Sequence, residues 1–251
     1  MTIYAIGDIH GQLGMLEAAL ARVAADGAGP GDEVIFLGDL VDRGPQSRAV
    51  LDLLIAGRAA GRNWTILRGN HDEMFRAALD EGQLHHPAIK SGRSWFDPAL
   101  GGPETLKSYG VDMSEGRSIA EILAEARARV PESHRTFLRA TPLWAERADV
   151  LFVHAGLRPG VALSDQVIAD LTWIREPFYA VTEPFPWLIV HGHTVVDVPS
   201  HFGNRIDLDT GAGARPAPRH LTVAAFEGRD CFILTDQGRQ PLLPDRAHER
   251  A

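Results

Sequence analysis

The chain has 251 residues, 45% of them hydrophobic and 23% charged, which fits a globular protein with one large domain. Its 25 basic and 33 acidic residues give a formal net charge of −8, which argues against a general nucleic-acid binder because such a protein needs a basic face. The single cysteine excludes an intramolecular disulfide. With no leader-like N-terminus and no membrane-length apolar run, we expect a cytoplasmic protein without a membrane partner.

Residues 3–67 alternate between apolar runs typical of buried strands and segments with helical apolar spacing. The predicted strands are Ile3–Ile6, Val34–Leu37 and Trp64–Leu67. The predicted helices are Gln12–Ala25 and a second segment with Val50, Leu51, Leu54 and Ile55 on its buried face. This β-α-β-α-β order predicts parallel strand pairing with right-handed crossovers.

The pattern changes after His71, and residues 73–145 predict a mostly helical cap inserted in a single domain that spans residues 1–251. The predicted helices of the cap are Glu73–Leu79, Thr105–Tyr109, 118–129 and 131–140, with an irregular segment over 83–102. Ser118 and Glu121 form a capping-box signature for the third of these helices. We expect the cap to select the substrate, because insertions between core elements often carry binding residues.

The last hundred residues predict a return to strands. A strand over Val150–Val153, a helix over Asp165–Leu171 and a strand before His193 are followed by a strand and turn over 205–212. A hairpin joins 220–226 to 231–234, and the tail from Pro241 is expected to be loose. A parallel beginning and an antiparallel end predict an α/β fold, a central sandwich of two mixed sheets flanked by helices.

Five of the predicted strands end in Asp, Asn or His beside glycine. The stretches are Gly7-Asp8-Ile9-His10-Gly11, Gly38-Asp39-Leu40-Val41-Asp42-Arg43-Gly44, Gly69-Asn70-His71-Asp72, Val153-His154-Ala155-Gly156 and Gly192-His193-Thr194. Any one of them is equally well explained as a polar strand-to-loop turn, but five together predict a common site. Oxygen and imidazole ligands without thiolate suit Mn²⁺, Fe or Zn²⁺. Their number exceeds what one tetrahedral ion binds, which favours two ions that share a carboxylate.

These stretches, in this order, resemble the calcineurin-like metallophosphoesterases and, among them, the phosphoprotein phosphatase family. The resemblance covers residue 3 to about residue 213, and it is strongest to small bacterial Ser/Thr phosphatases and symmetrical diadenosine tetraphosphatases. It implies the α/β/β/α sandwich and two divalent metal ions, with Mn²⁺ the first expectation. By the same resemblance, Asp8 and His10 are ligands of the first ion, Asp39 is the bridge, and Asn70, His154 and His193 are ligands of the second ion.

The resemblance also implies a mechanism, the in-line attack of a metal-bridging hydroxide on phosphorus. Arg43, Arg175 and Asn70 would bind the substrate phosphate, and His71 would protonate the leaving oxygen while Asp42 orients it. Two alternatives stay open. Arg175 would instead form a surface ion pair with an acid such as Glu176, and Asp42 would merely pair with Arg43.

The remaining histidines are predicted to face solvent or lie in loops, with His191 the exception. It lies two residues before His193, so on a strand both side chains would share a face, and an outer role at the metals is one interpretation. The other histidines are His85, His86, His134, His201, His220 and His248. Cys231 is predicted to be a small core residue.

The substrate is the least determined feature of the sequence. We favour hydrolysis of phosphoserine or phosphothreonine in proteins over symmetrical hydrolysis of dinucleoside polyphosphates. For the dinucleotide, the cap offers Lys90, Arg93 and Lys107 near Trp95 and Phe96, although these two aromatic residues would more simply seat the cap on the core. A catalytically inactive metal-binding scaffold is disfavoured because no ligand or acid is missing. A nuclease-like phosphodiesterase commonly ends in Gly-His-x-His, and Val195 replaces its second histidine.

Overall fold

The computed structural model describes residues 1–245, so that His248 lies outside the described residues. Its strands form two mixed sheets, which confirms the predicted sandwich. The strands are β1 (Ile3–Ile6), β2 (Glu33–Phe36), β3 (Trp64–Ile66), β4 (Trp144–Arg147), β5 (Val150–Val153), β6 (Leu188–His191), β7 (Ser200–His201), β8 (Arg205–Asp207), β9 (Val223–Glu227), β10 (Asp230–Thr235) and β11 (Gly238–Pro241).

The first sheet has the order β11-β10-β9-β1-β2-β3 and the second the order β4-β5-β6-β8-β7. The centre of each sheet is parallel: β1 pairs with β2 and β2 with β3 in the first, and β5 pairs with β6 and β6 with β8 in the second. The other strands add antiparallel pairs at the flanks. In both sheets the carboxyl ends of the parallel strands point toward one edge, where polar side chains from both sheets meet.

Seven α-helices lie outside the sheets in the described part of the chain. They are α1 (Leu13–Ala25), α2 (Ser47–Ala59), α3 (Asn70–Asp80), α4 (Gly102–Ser108), α5 (Ile119–Arg129), α6 (Glu132–Ala140) and α7 (Ile168–Trp173). No helix among residues 1–245 combines the length and the apolar character that crossing a bilayer requires.

Strand β1 shows why the layers form, because its side chains alternate between the two faces of the first sheet. Tyr4 and Ile6 join the apolar cluster under helices α1 to α6. Ile3 and Ala5 join a second cluster between the sheets, which contains Phe152 and other residues of the second sheet. A third cluster packs α7 against the outer face of the second sheet. The layers are therefore helices, sheet, sheet and helices.

The helices of the cap pack directly on the α/β core. Phe75, Leu106, Leu123 and Leu138 are buried in the same apolar cluster as Tyr4 of β1. The irregular segment predicted over 83–102 is observed through residue 101, and α4 begins at Gly102 rather than at Thr105. Helix α5 carries the predicted capping box of Ser118 and Glu121. The division of the chain into one domain with an inserted cap over 73–145 stays a prediction.

The structure corrects several predicted elements. Helix α3 begins at Asn70 rather than Glu73, because the Asp72 carboxylate accepts the Gly69 N–H at 2.9 Å and caps the helix earlier. Helix α7 begins at Ile168 rather than Asp165, because residues 163–165 form a separate 3-10 turn and Val167 is extended. The tail from Pro241 is ordered through residue 245. Its main chain follows β11, and the Leu242 N–H donates to the Cys231 carbonyl.

The sheets are also joined by a charged pair. The Arg147 guanidinium on β4 donates to both carboxylate oxygens of Glu33 on β2, each at 2.7 Å. Burial alone would raise the pKa of Glu33, but Arg147 and the Thr65 hydroxyl outweigh burial and hold the pKa below its usual range. Cys231 is a buried free thiol between the sheets, and burial raises its pKa to about 12.

Candidate metal centre

The turns that follow β1, β2, β3, β5 and β6 converge at one edge of the two sheets. They deliver the polar side chains of the five glycine-flanked stretches, which are buried apart from those of Arg43 and Thr194. These buried residues are Asp8, His10, Asp39, Asp42, Asn70, His71, His154 and His193. The side chains that the sequence predicted to act together are therefore neighbours, although they span 186 positions of the chain, counted from residue 8 to residue 193.

The backbone of these turns is strained. Outside glycine, six residues of the described chain have a positive φ angle, and five of them belong to the predicted site. They are His10 (48°), Asp39 (49°), Asp42 (72°), Arg43 (66°) and His193 (69°). Left-handed conformations of such residues cost on the order of 1–3 kcal/mol each and persist where the surroundings enforce them. Their concentration at one edge supports a functional role for this edge.

Asp39 lies at the centre of the group. Its Oδ2 is 3.5 Å from His10 Nε2, and its Oδ1 is 3.4 Å from His154 Nε2. Asp39 Oδ1 also accepts the backbone N–H of His71 at 2.9 Å. One carboxylate thus presents each oxygen to a different imidazole, which is the arrangement that a ligand shared by two ions needs.

Asn70, His154 and His193 form one side of the centre. The Asn70 amide oxygen is 2.9 Å from both His154 Nε2 and His193 Nδ1. Oxygen and nitrogen atoms with lone pairs thus face a common point next to Asp39. Asn70 reaches this point because α3 starts on it, so its side chain extends from the first turn of the helix.

Asp8 and His10 form the other side. Asp8 Oδ2 accepts the backbone N–H of His193 at 3.1 Å, whereas its Oδ1 is buried and has no hydrogen-bond partner in the described residues. Burial, followed by the carboxylates of Asp209 and Asp39, raises the pKa of Asp8 well above its usual range. A buried carboxylate oxygen without a donor, crowded by other carboxylates, is stabilised by a cation.

Two of the imidazoles are held in one tautomer by the backbone. His10 Nδ1 donates to the Val41 carbonyl and His154 Nδ1 to the Leu37 carbonyl, each at 2.9 Å. The lone pair of each ring is therefore on Nε2, the atom that faces Asp39. Such second contacts fix the orientation of metal-ligating histidines. Burial, and then the Arg43 guanidinium, lower the pKa of His10 well below its usual range, so the ring is neutral as a ligand must be.

The donor set fits two divalent ions. Ligand atoms of His10, Asp39 and His71 lie within 4.8 Å of one another, as do those of Asp39, His154 and His193, and Asp39 belongs to both groups. The first group contains His71 where the sequence predicted Asp8. Asp8 nevertheless has an Oδ1 without a hydrogen-bond partner among the described residues, whereas His71 is held by Asp42. The two groups hold no cysteine, since the single thiol lies between the sheets.

His71 and Asp42 form a buried pair beside this centre. His71 Nδ1 lies 2.7 Å from Asp42 Oδ2, and the same oxygen accepts from Trp95 Nε1 at 2.7 Å. Asp42 Oδ1 accepts from the Thr105 hydroxyl, also at 2.7 Å. Burial raises the pKa of Asp42 to about 7 and lowers the pKa of His71 to about 3, because it disfavours the charged form of either group. The hydrogen bond joins the two groups, so a change of charge on one affects the protonation of the other.

The two predicted phosphate-binding arginines differ in their surroundings. Arg43 does not pair with Asp42, since its Nη1 is 3.0 Å from His10 Nε2 and its Nη2 is 3.2 Å from His71 Nε2. Arg175 is exposed, and no carboxylate of residues 1–245 lies within 4.0 Å of its guanidinium. Arg175 is also close enough to His193 to lower its pKa, after burial and His154. Arg43 therefore lies against His10 and His71, and Arg175 lies near His193.

The sequence did not reveal several residues that build the site. Trp95 is fully buried and stacks on Phe75, so its indole serves Asp42 and is not an open aromatic platform. Asp72 accepts the backbone N–H groups of Leu40 and Gly69, each at 2.9 Å, and so joins two of the turns. Its place beside His71 in a glycine-flanked stretch was the signal that could have identified it. Trp95 carried no such signal.

The prediction that the other histidines face solvent or lie in loops is only partly correct. His85 and His220 are exposed as expected. His134 is buried and lies between the Tyr109 hydroxyl and the Asp52 carboxylate, at 2.8 and 2.9 Å. His201 is buried on β7, and the half-buried His86 stacks on Trp173 with 4.6 Å between ring centroids. His134, His201 and His86 are buried or half-buried because the cap and the short strand β7 pack against residues that are distant in the sequence.

Residues 1–213 match the family described as calcineurin-like phosphoesterase. A symmetrical bis(5'-nucleosyl)-tetraphosphatase of Janthinobacterium sp. (strain Marseille) is 33% identical over 177 residues, which cover 68% of this chain and 52% of that protein. Serine/threonine-protein phosphatase 2 of Escherichia coli (strain K12) is 35% identical over 95 residues, 38% of this chain and 39% of that protein. The chain spans about half the length of curated relatives such as the Janthinobacterium protein.

Solved structures share the fold at low sequence identity. A protein provisionally assigned as a diadenosine tetraphosphatase has a TM-score of 0.63 and 21% identity, with 97% of this chain and 95% of that chain covered. A cold-active protein-tyrosine phosphatase of a psychrophilic Shewanella has a TM-score of 0.63 and 17% identity, with 96% and 80% covered.

Proposed function

The chain belongs to the calcineurin-like phosphoesterase family, and from this premise we propose that it hydrolyses phosphate esters with two divalent metal ions. One observation carries the proposal. The two oxygens of the buried Asp39 carboxylate face the imidazoles of two different ligand groups, at 3.5 Å for His10 and 3.4 Å for His154. Asp39 accepts one backbone N–H, from His71, whereas both oxygens of a structural carboxylate such as Glu33 are paired with a guanidinium.

Asp8, His10 and Asp39 would hold the first ion, and Asp39, Asn70, His154 and His193 the second. Two such ions, when bound, lower the pKa of a water molecule and neutralise charge on the phosphoryl group. The ligand set is oxygen and neutral imidazole, which suits Mn²⁺ first and Fe or Zn²⁺ as alternatives. Asp39 and Asp8 supply the negative charge that offsets the cations.

His71 would donate the proton that the leaving oxygen needs. Its Nδ1 is engaged by Asp42, so its Nε2 is the atom available toward the substrate, on the same side as the Arg43 guanidinium. Asp42 fixes the ring, and as a carboxylate it would stabilise the protonated form that burial disfavours, while Trp95 and Thr105 fix Asp42. Burial of the whole pair keeps water away from this proton path.

Arg43 and Arg175 would bind the phosphoryl oxygens, together with the Asn70 amide. A guanidinium is suited to this task because its planar fork matches two oxygens at once. In the structure the Arg43 guanidinium contacts the nitrogen atoms of His10 and His71. A bound phosphate would replace these neutral partners of Arg43 with charged oxygen atoms. Within residues 1–245, no carboxylate lies within 4.0 Å of the Arg175 guanidinium, which supports the same role for this residue.

For the substrate we propose phosphoserine or phosphothreonine in proteins as the first candidate. The supporting observation is the full burial of Trp95, which removes the flat adenine-binding face that the cap would have needed for a dinucleotide. A phosphoserine or phosphothreonine side chain needs only access to the metals and the two arginines. The relative in Escherichia coli that carries the name serine/threonine-protein phosphatase 2 is consistent with this choice.

Symmetrical hydrolysis of dinucleoside tetraphosphates is the second candidate. It is favoured by the relatives, of which the Janthinobacterium protein covers two thirds of this chain. The adenine would then stack elsewhere than on Trp95. Phe96, which is only partly buried, is the remaining aromatic residue of the predicted pair.

A direct comparison of substrates tests the proposal. The full chain, loaded with Mn²⁺, is assayed for kcat/KM with a phosphothreonine peptide and with diadenosine tetraphosphate. An aryl phosphate serves as a control for the chemistry, and we expect its turnover to disappear on chelation. A dinucleotide preference above about a hundredfold, roughly 2.7 kcal/mol of differential transition-state binding, would replace the first candidate by the second. Absence of metal-dependent turnover with all three substrates would contradict the proposed function.

A further inference from the structure

The turn 191–194 connects three predicted ligand positions of the metal centre, two through its backbone and one through the His193 side chain. The Gly192 N–H donates to the His154 carbonyl at 2.8 Å, and the His193 N–H donates to Asp8 Oδ2 at 3.1 Å. The His193 side chain reaches Asn70 through Nδ1 at 2.9 Å. A shift of this turn would therefore move His193 relative to Asp8, Asn70 and His154 at once.

This turn is strained and tightly enclosed. His193 has a φ angle of 69°, a left-handed conformation that residues with a side chain rarely adopt. A Cβ atom on Gly192 would lie 2.1 Å from Asp8 Oδ1, so any side chain at this position would displace that carboxylate. A strained conformation persists only where the surrounding structure enforces it, so other contacts of the turn must hold His193 in this conformation.

The Gly192 carbonyl is the point at which the turn is held. It accepts the backbone N–H of Thr194 at 2.8 Å and lies 3.0 Å from His191 Nδ1. A carbonyl oxygen only accepts, so the ring must carry its proton on Nδ1. Among the contacts of this carbonyl, His191 is the one made by a side chain, and that side chain is not a ligand.

The His191 ring is itself fixed in place. It is fully buried, packs edge-on to Phe178 with 5.4 Å between centroids, and is tilted against Tyr179 at 5.8 Å. Its Nδ1 is 3.8 Å from Asp207 Oδ2, too far for a hydrogen bond. The ring therefore has one direct polar contact in the described residues, and this contact is with the turn that carries His193.

We infer that His191 is a positioning residue for the second metal ion, and that its Nδ1–H holds the strained turn in the conformation that aims His193 Nδ1 at the ion. The inference rests on the proposed two-metal function. Outer contacts of this kind typically change metal affinity by about 10- to 100-fold. The competing explanation is that the ring merely fills space between Phe178 and the sheet.

Two variants distinguish the explanations, because one removes the hydrogen-bond donor and keeps the ring volume, whereas the other keeps a donor and reduces the volume. His191→Phe keeps a ring between Phe178 and Tyr179 but lacks a donor. His191→Asn leaves a gap but places an amide N–H near the position of Nδ1. Calorimetric titration of Mn²⁺ into the metal-stripped full chain measures the affinity of each ion without reference to turnover. Thermal unfolding of the same metal-free samples measures the packing.

For His191→Phe we expect the affinity of the second ion to fall about 10- to 100-fold, with the first ion retained and the melting temperature near that of the parent chain. For His191→Asn we expect a lower melting temperature but near-parent affinity for both ions. Parent-like affinity in His191→Phe, or an equal loss in both variants, would overturn the inference. A parent chain that does not bind two ions would instead contradict the proposed function.

Discussion

Replacement of Asp42 by asparagine removes one charge next to the proposed proton donor and little else. The carboxylate accepts three side-chain donors, each at 2.7 Å, from His71, Trp95 and Thr105. In Asp42→Asn the remaining oxygen can still accept from His71 and Trp95, while the amide N–H₂ faces the Thr105 hydroxyl, which can rotate to accept. The His71 ring should therefore keep its place but lose its anionic partner.

The expected loss follows from the strength of this one contact. A hydrogen bond to a charged group contributes about 1.5–3 kcal/mol and a neutral one about 0.5–1.5, so the difference is about 1–2 kcal/mol. If His71 must be protonated to act, turnover of an alkyl phosphate should fall about 5- to 30-fold, the rate equivalent of that energy. Complete removal of the donor in His71→Asn should cost more, about 10²–10⁴-fold.

The assay compares kcat for an alkyl phosphate and for an aryl phosphate whose leaving oxygen is already acidic. The aryl phosphate needs little protonation, so Asp42→Asn should affect it much less, and the Mn²⁺ content should not change. Asp52→Asn is the matched control, because Asp52 also pairs with a buried histidine, His134 at 2.9 Å, away from the metal centre. Equal losses for both substrates, or a loss of metal, would refute the proposed role of the pair.

Three other substitutions test the site and the fold. Asp39→Asn should lose both ions and activity together, because one ligand serves both, and normal content of two ions with full turnover would contradict the bridge. Arg175→Ala should weaken inhibition by orthophosphate and lower kcat/KM by about 10- to 100-fold, the value of a charged hydrogen bond, whereas the exposed Arg229 on the β9–β10 hairpin should tolerate the same change. Arg147→Gln should destabilise the fold by about 1–2 kcal/mol at neutral pH, less than for a fully buried pair because Arg147 is partly exposed. Since the folded pKa of Glu33 lies below its unfolded value of roughly 4.3, this stabilisation is present above about pH 4.3 and is lost as the pH falls through the folded pKa. The difference in melting temperature between parent and variant should therefore shrink in acid, and a constant difference would argue against the pair.

The sequence predicted those parts of the fold that depend on local pattern. The parallel strands β1, β2, β3, β5 and β6 are apolar runs, and their polar ends are marked by glycine, so both the strands and the residues after them could be recognised. The edge strands β7 and β11 are short and have few apolar residues, and pairing alone defines them. Their existence depends on neighbours that the local sequence does not show.

The contacts that complete the site are long-range and were not predictable from pattern. Trp95 reaches Asp42 across 53 positions, through an irregular segment whose path is set by packing on Phe75. An aromatic residue in a loop is as compatible with a ligand platform as with a core contact, and only the fold distinguishes them. The same holds for His134 and Asp52, which lie 82 positions apart and meet between α2 and α6.

The metal centre concentrates features that are unfavourable in the protein alone. Asp8 is buried, and burial together with the nearby carboxylates of Asp209 and Asp39 raises its pKa. Five non-glycine residues of the site adopt left-handed backbone conformations. The backbone N–H groups of His71 and His193 offset part of this cost by donating to Asp39 and Asp8. We expect divalent cations to stabilise the remaining negative charge, so that ion binding and the stability of this edge are linked. Ligands that are held in place before the ions bind reduce the stability of the metal-free protein, but they need no rearrangement on binding. Contacts that hold the ligands in place, such as the one proposed for His191, would therefore affect metal affinity.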